Sequence, residues 1–429
     1  MHDIANYALD ALKKAGADKA SCSVGSNKKD ELNVEANRFS LLRTVFGDSL
    51  HLYALVGGKK GTAVINKLDK ASVDEAVTTC IDLAKSATPD DAEDISTLVE
   101  NKHFDQSIGG ANMDAMFTRT KEYLETVQEK YPKIITESIG TQFNKSDTIY
   151  LNSNGVEFTQ SIEHYIFQSS FAAKDGEKAS SFNYFGNSLD NLDTAFLDLG
   201  LNDQTLAESV KSLDTRMVEG KFVGPVIISP SCMDMILDSI TSCFLDGFVM
   251  IQDTSVWKNS LGELVASPKF TFSRSPFDPS MVAGERITTD GFASQDFDVI
   301  KNGVLQSFML TLYGSNKTGK PRALNTGYNL VVAPGEKSYQ DMIKSIDRGI
   351  LLNRFSGGSP GVSGDISGVA KNSFLIENGQ ITDAIQETML SFNLQDLIKN
   401  VVAVSSERIA TGYSLLPWCC FDGVTISGK

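Results

Sequence analysis

Apolar positions near the start recur at helical spacing, at Ile4, Tyr7, Ala8, Leu12 and Ala15, and Gly16 closes that run. Residues 19–56 change period. Cys22-Ser23-Val24 and the stretch His51–Val56 alternate apolar and polar, the signature of strands in a half-solvated sheet. Gly57-Gly58-Lys59-Lys60-Gly61 is a turn leading into a short strand, Thr62–Asn66. Ser72-x-x-Glu75 reads as a capping box opening a helix through Ala84, and Pro89-Asp90-Asp91-Ala92-Glu93-Asp94 as a solvated acidic linker. A second helix starts near Asn112, with Met113, Met116, Phe117, Leu124 and Val127 on one face, and stops at Pro132. Ile149-Tyr150-Leu151 and Val156-Glu157-Phe158 flank Asn154-Gly155, a pair suited to a hairpin turn. A helix over Gln204–Leu213 follows.

From Gly220 onward strands dominate. Phe222–Ile228 is an apolar strand broken by Pro230, and Ser231 is placed to cap a helix running to Leu245. Two further Asn-Gly hairpins are expected at Val299–Leu305 and Phe374–Ile381, with helices at Ser338–Gly349 and Leu394–Val401. No repeat period of a solenoid is present. The fold class expected is α+β: an N-terminal α/β region with helices packed on sheet, and a C-terminal domain dominated by antiparallel sheet. The expected domains are 1–100, 101–217 and 218–429.

Composition narrows the function. Lys plus Arg is 39 and Asp plus Glu is 54, for a net charge of −15 across 429 residues. Such a chain is repelled by nucleic-acid phosphates and anionic lipid, so neither is an expected partner. No apolar run is long enough to span a bilayer, and the N-terminus lacks the features of a signal peptide. With six cysteines and no C-x-x-C there is no disulfide framework. A cytoplasmic location is expected.

Candidate chemistry is sparse. The four histidines, His2, His51, His103 and His164, lie far apart, and none sits in H-E-x-x-H. No G-x-S-x-G occurs. Cys232, Cys243, Cys419 and Cys420 are candidate thiols whose ordinary reading is small buried hydrophobes. Gly357–Asp365 is glycine-rich but lacks the Gly-Lys-Ser/Thr ending of a phosphate loop, so its ordinary reading is a flexible loop. Asp296 and Asp298 share one face of a strand, which a solvated sheet already explains. Lys317, Lys320 and Arg322 form a basic cluster in an acidic chain, able to hold a peptide carboxylate or an acidic partner loop, or simply to solubilise.

Several stretches taken together resemble the TldD/PmbA family, also called modulators of DNA gyrase. They are Asp253–Trp257 with Leu261-Gly262-Glu263, Phe277-Asp278-Pro279, Asp290-Gly291, Ile300–Leu305 with Tyr313-Gly314-Ser315, Ser363–Ser367 and Phe374–Gly379. The resemblance implies a two-subunit protease whose TldD-type subunit holds zinc through a helical H-E-x-x-x-H and a C-terminal cysteine. Here the equivalent helix reads Asp238-Ser239-Ile240-Thr241-Ser242-Cys243, without the histidines or the glutamate. That departure implies the PmbA (TldE) type. No catalytic, cofactor-binding or metal-binding residue is therefore expected in this chain, zinc being expected in a TldD-type partner. The expected role is to shape the substrate cavity of a protease that digests small or unfolded peptides, with the Gly357–Gly364 loop and the strand edges near the Asn-Gly hairpins as its contact points. The alternatives are a stand-alone cysteine or distributed-metal hydrolase, and a non-enzymatic homodimeric scaffold.

Overall fold

The computed structural model describes residues 1–429. The first half is built on one long sheet. Helix α1 (His2–Lys14) precedes β1 (Lys19–Glu35), β2 (Arg38–Val56) and β3 (Lys59–Ile65). Then come α2 (Lys70–Ser86), β4 (Lys102–Gln106), α3 (Met113–Lys130), β5 (Ile134–Asn152) and β6 (Glu157–Asp175). The short β7 (Lys178–Ala179), β8 (Asn183–Leu189) and α4 (Asn202–Lys211) complete it. The order β3-β2-β1-β5-β6-β4 pairs β1 directly with β5, from Ser21↔Asn152 to Glu35↔Ser138. Segments 1–100 and 101–217 thus share one sheet.

Helices cover one face of this sheet at two places. α1 and α2 enclose a core of Leu12, Val24, Leu52, Val73, Val77 and Ile149. α3 and α4 enclose another around Tyr123, Phe143, Phe167, Phe171 and Leu206. Each helix buries its apolar stripe, which is what ties helical periodicity to position on the sheet. Helix α2 starts earlier than expected. Its cap is Asp69, whose carboxylate accepts from the Ser72 amide at 3.0 Å and the Ser72 hydroxyl at 2.8 Å, so Ser72 lies within the first turn.

The second half is a larger, mostly antiparallel sheet. It runs through β9 (Thr215–Met217), β10 (Lys221–Ile228), α5 (Pro230–Ile240), α6 (Gly247–Ile251), β11 (Phe272–Arg274), β12 (Phe297–Lys301) and β13 (Val304–Leu305). Next are α7 (Leu312–Thr318), β14 (Leu330–Val332), α8 (Tyr339–Lys344), β15 (Arg348–Leu352), β16 (Arg354–Gly357) and β17 (Asp365–Lys371). β18 (Phe374–Glu377), β19 (Gln380–Gln386), β20 (Met389–Asn393), α9 (Leu394–Lys399), β21 (Val401–Ala410) and β22 (Ser414–Ser427) follow. The path is β13-β12-β11-β14-β22-β10-β15-β18-β19-β9, with β10–β15, β14–β22 and β19–β9 parallel. α5 lies over β10 and β22 in a large core that includes Ile236, Leu237, Phe244, Phe272, Leu390 and Phe421. The fold is α+β. Asn302-Gly303 and Asn378-Gly379 both turn with positive φ at each residue (49° and 82°, 49° and 74°), the geometry of a tight hairpin turn.

Two elements depart from expectation. β10 ends at Ile228 before Pro230 as expected, but Pro230 also opens α5 as its first residue, because proline's missing N–H is no loss there. The cap position is Ser229, not Ser231. Past Ile240 the helix widens into a π turn over Thr241–Leu245, closed by Asp246 N–H donating to Thr241 O at 2.8 Å. The helix expected over Ser338–Gly349 ends at Lys344, where β15 begins four residues later to pair with β10 and β18.

Candidate functional site

The two halves meet across a cleft of about 610 Å³. The first sheet contributes Ser23, His51, Tyr53, Thr148, Tyr150 and Gln160, and the second half answers with Thr288, Thr289, Asp290 and Tyr313. The walls are polar because they come from the sheet face that the helices leave uncovered. On that face Asn144 lies opposite His164, and Gln160 lies opposite Thr148 two pleat repeats further along. The buried Asn144 Nδ2, His164 Nδ1 and Gln160 Oε1 atoms have no hydrogen-bond partner within the chain.

The acidic stretch at the edge of the cleft is docked, not solvated. Asp90 accepts from Lys317 at 2.9 Å and from the Tyr313 hydroxyl at 3.1 Å, and Asn316 donates to Ala92 O at 2.9 Å. Glu93 is held by Tyr53 at 2.9 Å and by Lys60, and Asp94 by Lys19 at 2.6 Å. The basic cluster is therefore occupied from within the chain. Lys317 takes Asp90, Arg322 takes Asp290 at 2.7 Å, and Lys320 lies over the Phe308 ring. Burial works to raise Asp290, but the Arg322 pair, Thr288 and the Leu312 amide outweigh it and hold the carboxyl below its ordinary value. Tyr150 closes the floor of the cleft so tightly against Gly291 that a Cβ there would lie 2.1 Å from the tyrosine oxygen.

The second place of interest is α5 with its π turn. Asp234, Asp238 and Ser242 follow one another at four-residue spacing. Asp238 and Ser242 are exposed and Asp234 is half-buried. Burial first, then Asp238, raises the Asp234 carboxyl, even though Arg354 lies close enough to oppose this. Arg274 lies beneath, 3% exposed, donating to Gly327 O at 3.2 Å and the Thr241 hydroxyl at 3.1 Å, and stacked near Phe272 and Tyr328. It has no carboxylate within ion-pair distance, and desolvation lowers it to about 10. Cys243, half-buried, points its thiol toward Gly361 O at 3.9 Å. The glycine-rich loop is fastened at this point. Ser363 O accepts from Asn393 at 3.0 Å and Gln395 at 3.1 Å, and Gly364 packs on Phe244.

These residues do not fit a zinc ion. Only Asp238 and Cys243 occupy the positions the resemblance assigns to ligands, and no group of three or more His, Cys, Asp or Glu side chains converges anywhere. All four histidines sit in the N-terminal sheet or α1: His51 on β2, His164 on β6, His103 on β4 bonded to Thr159 at 2.6 Å, and His2 near Glu157 at 3.7 Å. Nor is any thiol activated. Burial pushes Cys232, Cys22 and Cys420 up to about 12, and Cys243 and Cys419 upward as well, the opposite of a nucleophile. Asp298 accepts from Ser273 and pairs with Lys301, and Asp296 accepts from the Phe277 amide, so both are committed to structure.

Residues 220–428 match the model of the PmbA/TldA metallopeptidase C-terminal domain, and the match covers the whole second half. The chain belongs to the PmbA/TldD family. The metalloprotease PmbA homolog of Haemophilus influenzae is 24% identical over 99% of this chain and 95% of its own length. A metalloprotease TldD homolog of the same organism is 26% identical over 43% of this chain and 41% of its own. The crystal structure of TldE from Thermococcus kodakarensis superposes with a TM-score of 0.87 at 18% identity, covering 99% of this chain and 100% of that one. The likeness in fold to that structure thus runs along the full length of both chains. The docking of the acidic stretch onto Lys317 had no local signal in the sequence beyond opposite charge, and the π turn had none.

Proposed function

We propose that this chain is the PmbA/TldE-type subunit of a TldD/TldE-type metalloprotease that digests small or unfolded peptides in the cytoplasm, and that it shapes the substrate cavity without supplying the metal. The observation that carries this reading is the composition of α5. Where the family's zinc helix would place its ligands, this chain presents Asp238 and a half-buried, raised Cys243 with no third donor nearby. Family membership, a PmbA-named relative along the full length and TldE as structural neighbour support the subunit assignment. The cleft supports the cavity role: side chains such as Ser23, His51, Thr148, Gln160 and Thr289 along its walls offer donors and acceptors suited to a peptide backbone. Six free cysteines agree with a reducing compartment, and no helix is long and apolar enough to cross a membrane.

The test is co-purification with a TldD-type subunit, followed by peptide digestion with and without this chain. The expected result is no stoichiometric zinc and no cleavage by the chain alone, with activity restored in the mixture. One zinc per chain, or digestion by the isolated chain that Cys243→Ala abolishes, refutes the reading.

A further inference from the structure

The two halves meet at a second place, which shares no lining residue with the cleft. There β8 and α4 pack on α5, β16 and β22 around a cavity of about 90 Å³. Exposed Tyr184 and Gly200 lie at its mouth, and the buried Asn187, Pro230 and Ser414 lie deeper. Two opposite charges border it. The Arg354 guanidinium donates to Asn183 Oδ1 at 3.1 Å, to Ser231 O at 2.8 Å and to Tyr184 O, all neutral acceptors. The half-buried Asp234 carboxylate accepts only the Met235 amide, at 2.7 Å. Arg354 acts on Asp234 through space without bonding it. A charge withdrawn from water is costly unless it is paired, and a ligand carrying one charge of each sign pairs both.

Two further groups point the same way. α5 enters the cavity by its first turn. Pro230 has no N–H, and Cys232 and Met233 both donate to Ser229 O at 2.9 Å, which leaves the Ser231 amide as the donor without an acceptor at the positive end of the helix dipole. Ser229 stands at the cap position, 2% exposed, yet its Oγ makes no capping bond and has no partner within the chain. It lines a pocket of about 10 Å³ that adjoins the cavity and shares Thr205, Ser231 and Arg354 with it. Glu208, which also lines that pocket, is already taken by Gln204 and Asn353 at 2.7 and 2.8 Å.

We propose that this cavity binds a small free amino acid, with its carboxylate on Arg354, the Ser231 amide and Ser229, and its ammonium on Asp234. At about 90 Å³ the space is several times the roughly 10–15 Å³ that one water requires, enough for glycine or alanine and too little for a large side chain. The ligand lies between residues of both halves, so its binding stabilises their junction. Binding is independent of the subunit reading; only the link to peptide digestion, whose last products are free amino acids, rests on it.

The experiment is isothermal titration calorimetry of the full chain with glycine, using acetate and glycinamide as probes that each lack one of the two charges. Saturable binding of one glycine per chain is expected, with acetate and glycinamide each weaker by about tenfold or more, as loss of a charge-assisted hydrogen bond predicts. Phenylalanine, too large for the space, is expected not to compete. Asp234→Asn is expected to weaken glycine by about tenfold or more and Ser229→Ala by about threefold or more, in chains whose thermal unfolding confirms that they are folded. The probe series uses the unaltered chain, so the test stands even where a variant fails to fold. No saturable binding of glycine, acetate or glycinamide binding as tightly as glycine, competition by phenylalanine, or a folded Asp234→Asn chain that binds glycine as the parent does overturns the proposal and leaves the cavity to water.

Discussion

Gly291→Ala tests whether the two halves are held in one arrangement across the cleft. Gly291 sits at φ +80°, and an added Cβ would lie 2.1 Å from the Tyr150 oxygen and 2.2 Å from its ring carbon. Alanine in this left-handed conformation costs about 1–2 kcal/mol, and forcing a close-packed neighbour aside adds about 1–3 kcal/mol. The single substitution should therefore destabilise by about 2–5 kcal/mol. In a Tyr150→Ala background the obstructing ring is gone and only the backbone cost of about 1–2 kcal/mol should remain. The difference, a coupling of about 1–3 kcal/mol, is read from a double-mutant cycle by urea denaturation of the four full-length variants. Because Tyr150 belongs to β5 of the first sheet and Gly291 to the second half, the coupling directly reports the inter-domain contact. An equal cost for Gly291→Ala in both backgrounds, within about 0.5 kcal/mol, would refute the reasoning.

Three further outcomes follow. Glu163 is buried and accepts the amides of Ile108, Gly109 and Gly110 at 3.0, 3.1 and 3.0 Å, plus Lys145 at 3.0 Å. Burial works to raise its carboxyl, but Lys145 and these amides outweigh it and hold the value below that of an ordinary glutamate. Its stabilisation is thus present above the unfolded value near about 4.3 and lost as pH falls through the folded one. Glu163→Gln should cost about 1.5–3 kcal/mol at neutral pH, and melting curves should show its gap to the parent closing in acid; a gap that does not change with pH contradicts this. Asp69→Ala should cost about 1 kcal/mol as loss of the α2 cap, whereas Ser72→Ala should cost less; the reverse order in thermal melts would restore Ser72 as the cap. Elemental analysis should find no stoichiometric zinc in the purified chain, as the subunit reading requires.

Local features were legible and long-range ones were not. Asn302-Gly303 and Asn378-Gly379 adopt the positive φ values their side chains favour, so hairpins could be read from two residues each. The helical stripes of α1 and α3 likewise predicted most of the faces they bury, except that Ala15 and Phe117 stay exposed. Asp69 lies outside the Ser72-x-x-Glu75 pattern, and that pattern masked a better cap three residues earlier. Pro230 was read by its power to end a strand, although the same ring suits the first turn of a helix. The partnership of Asp90 with Lys317 joins residues more than two hundred positions apart, which no periodicity encodes. The candidate site was legible mainly as a missing motif at Asp238–Cys243. The cleft that the molecule presents instead comes from sheet order, and above all from β1 lying between β2 and β5.

β22 has a consequence for how the second half comes into being. It is hydrogen-bonded to β10, β14, β20 and β21, and so joins the strand at Lys221 to those formed far later in the sequence. During synthesis on the ribosome β10 waits for roughly two hundred residues before β22, the later of its two neighbours, emerges, and at about 5–20 residues per second that is a delay of roughly 10–40 seconds. Over that interval the apolar faces of β10 and α5 have no completed sheet to bury them, while the first sheet has all its strands by Leu189. The half that carries α5 is therefore the one whose nascent form depends on protection from aggregation in the cell.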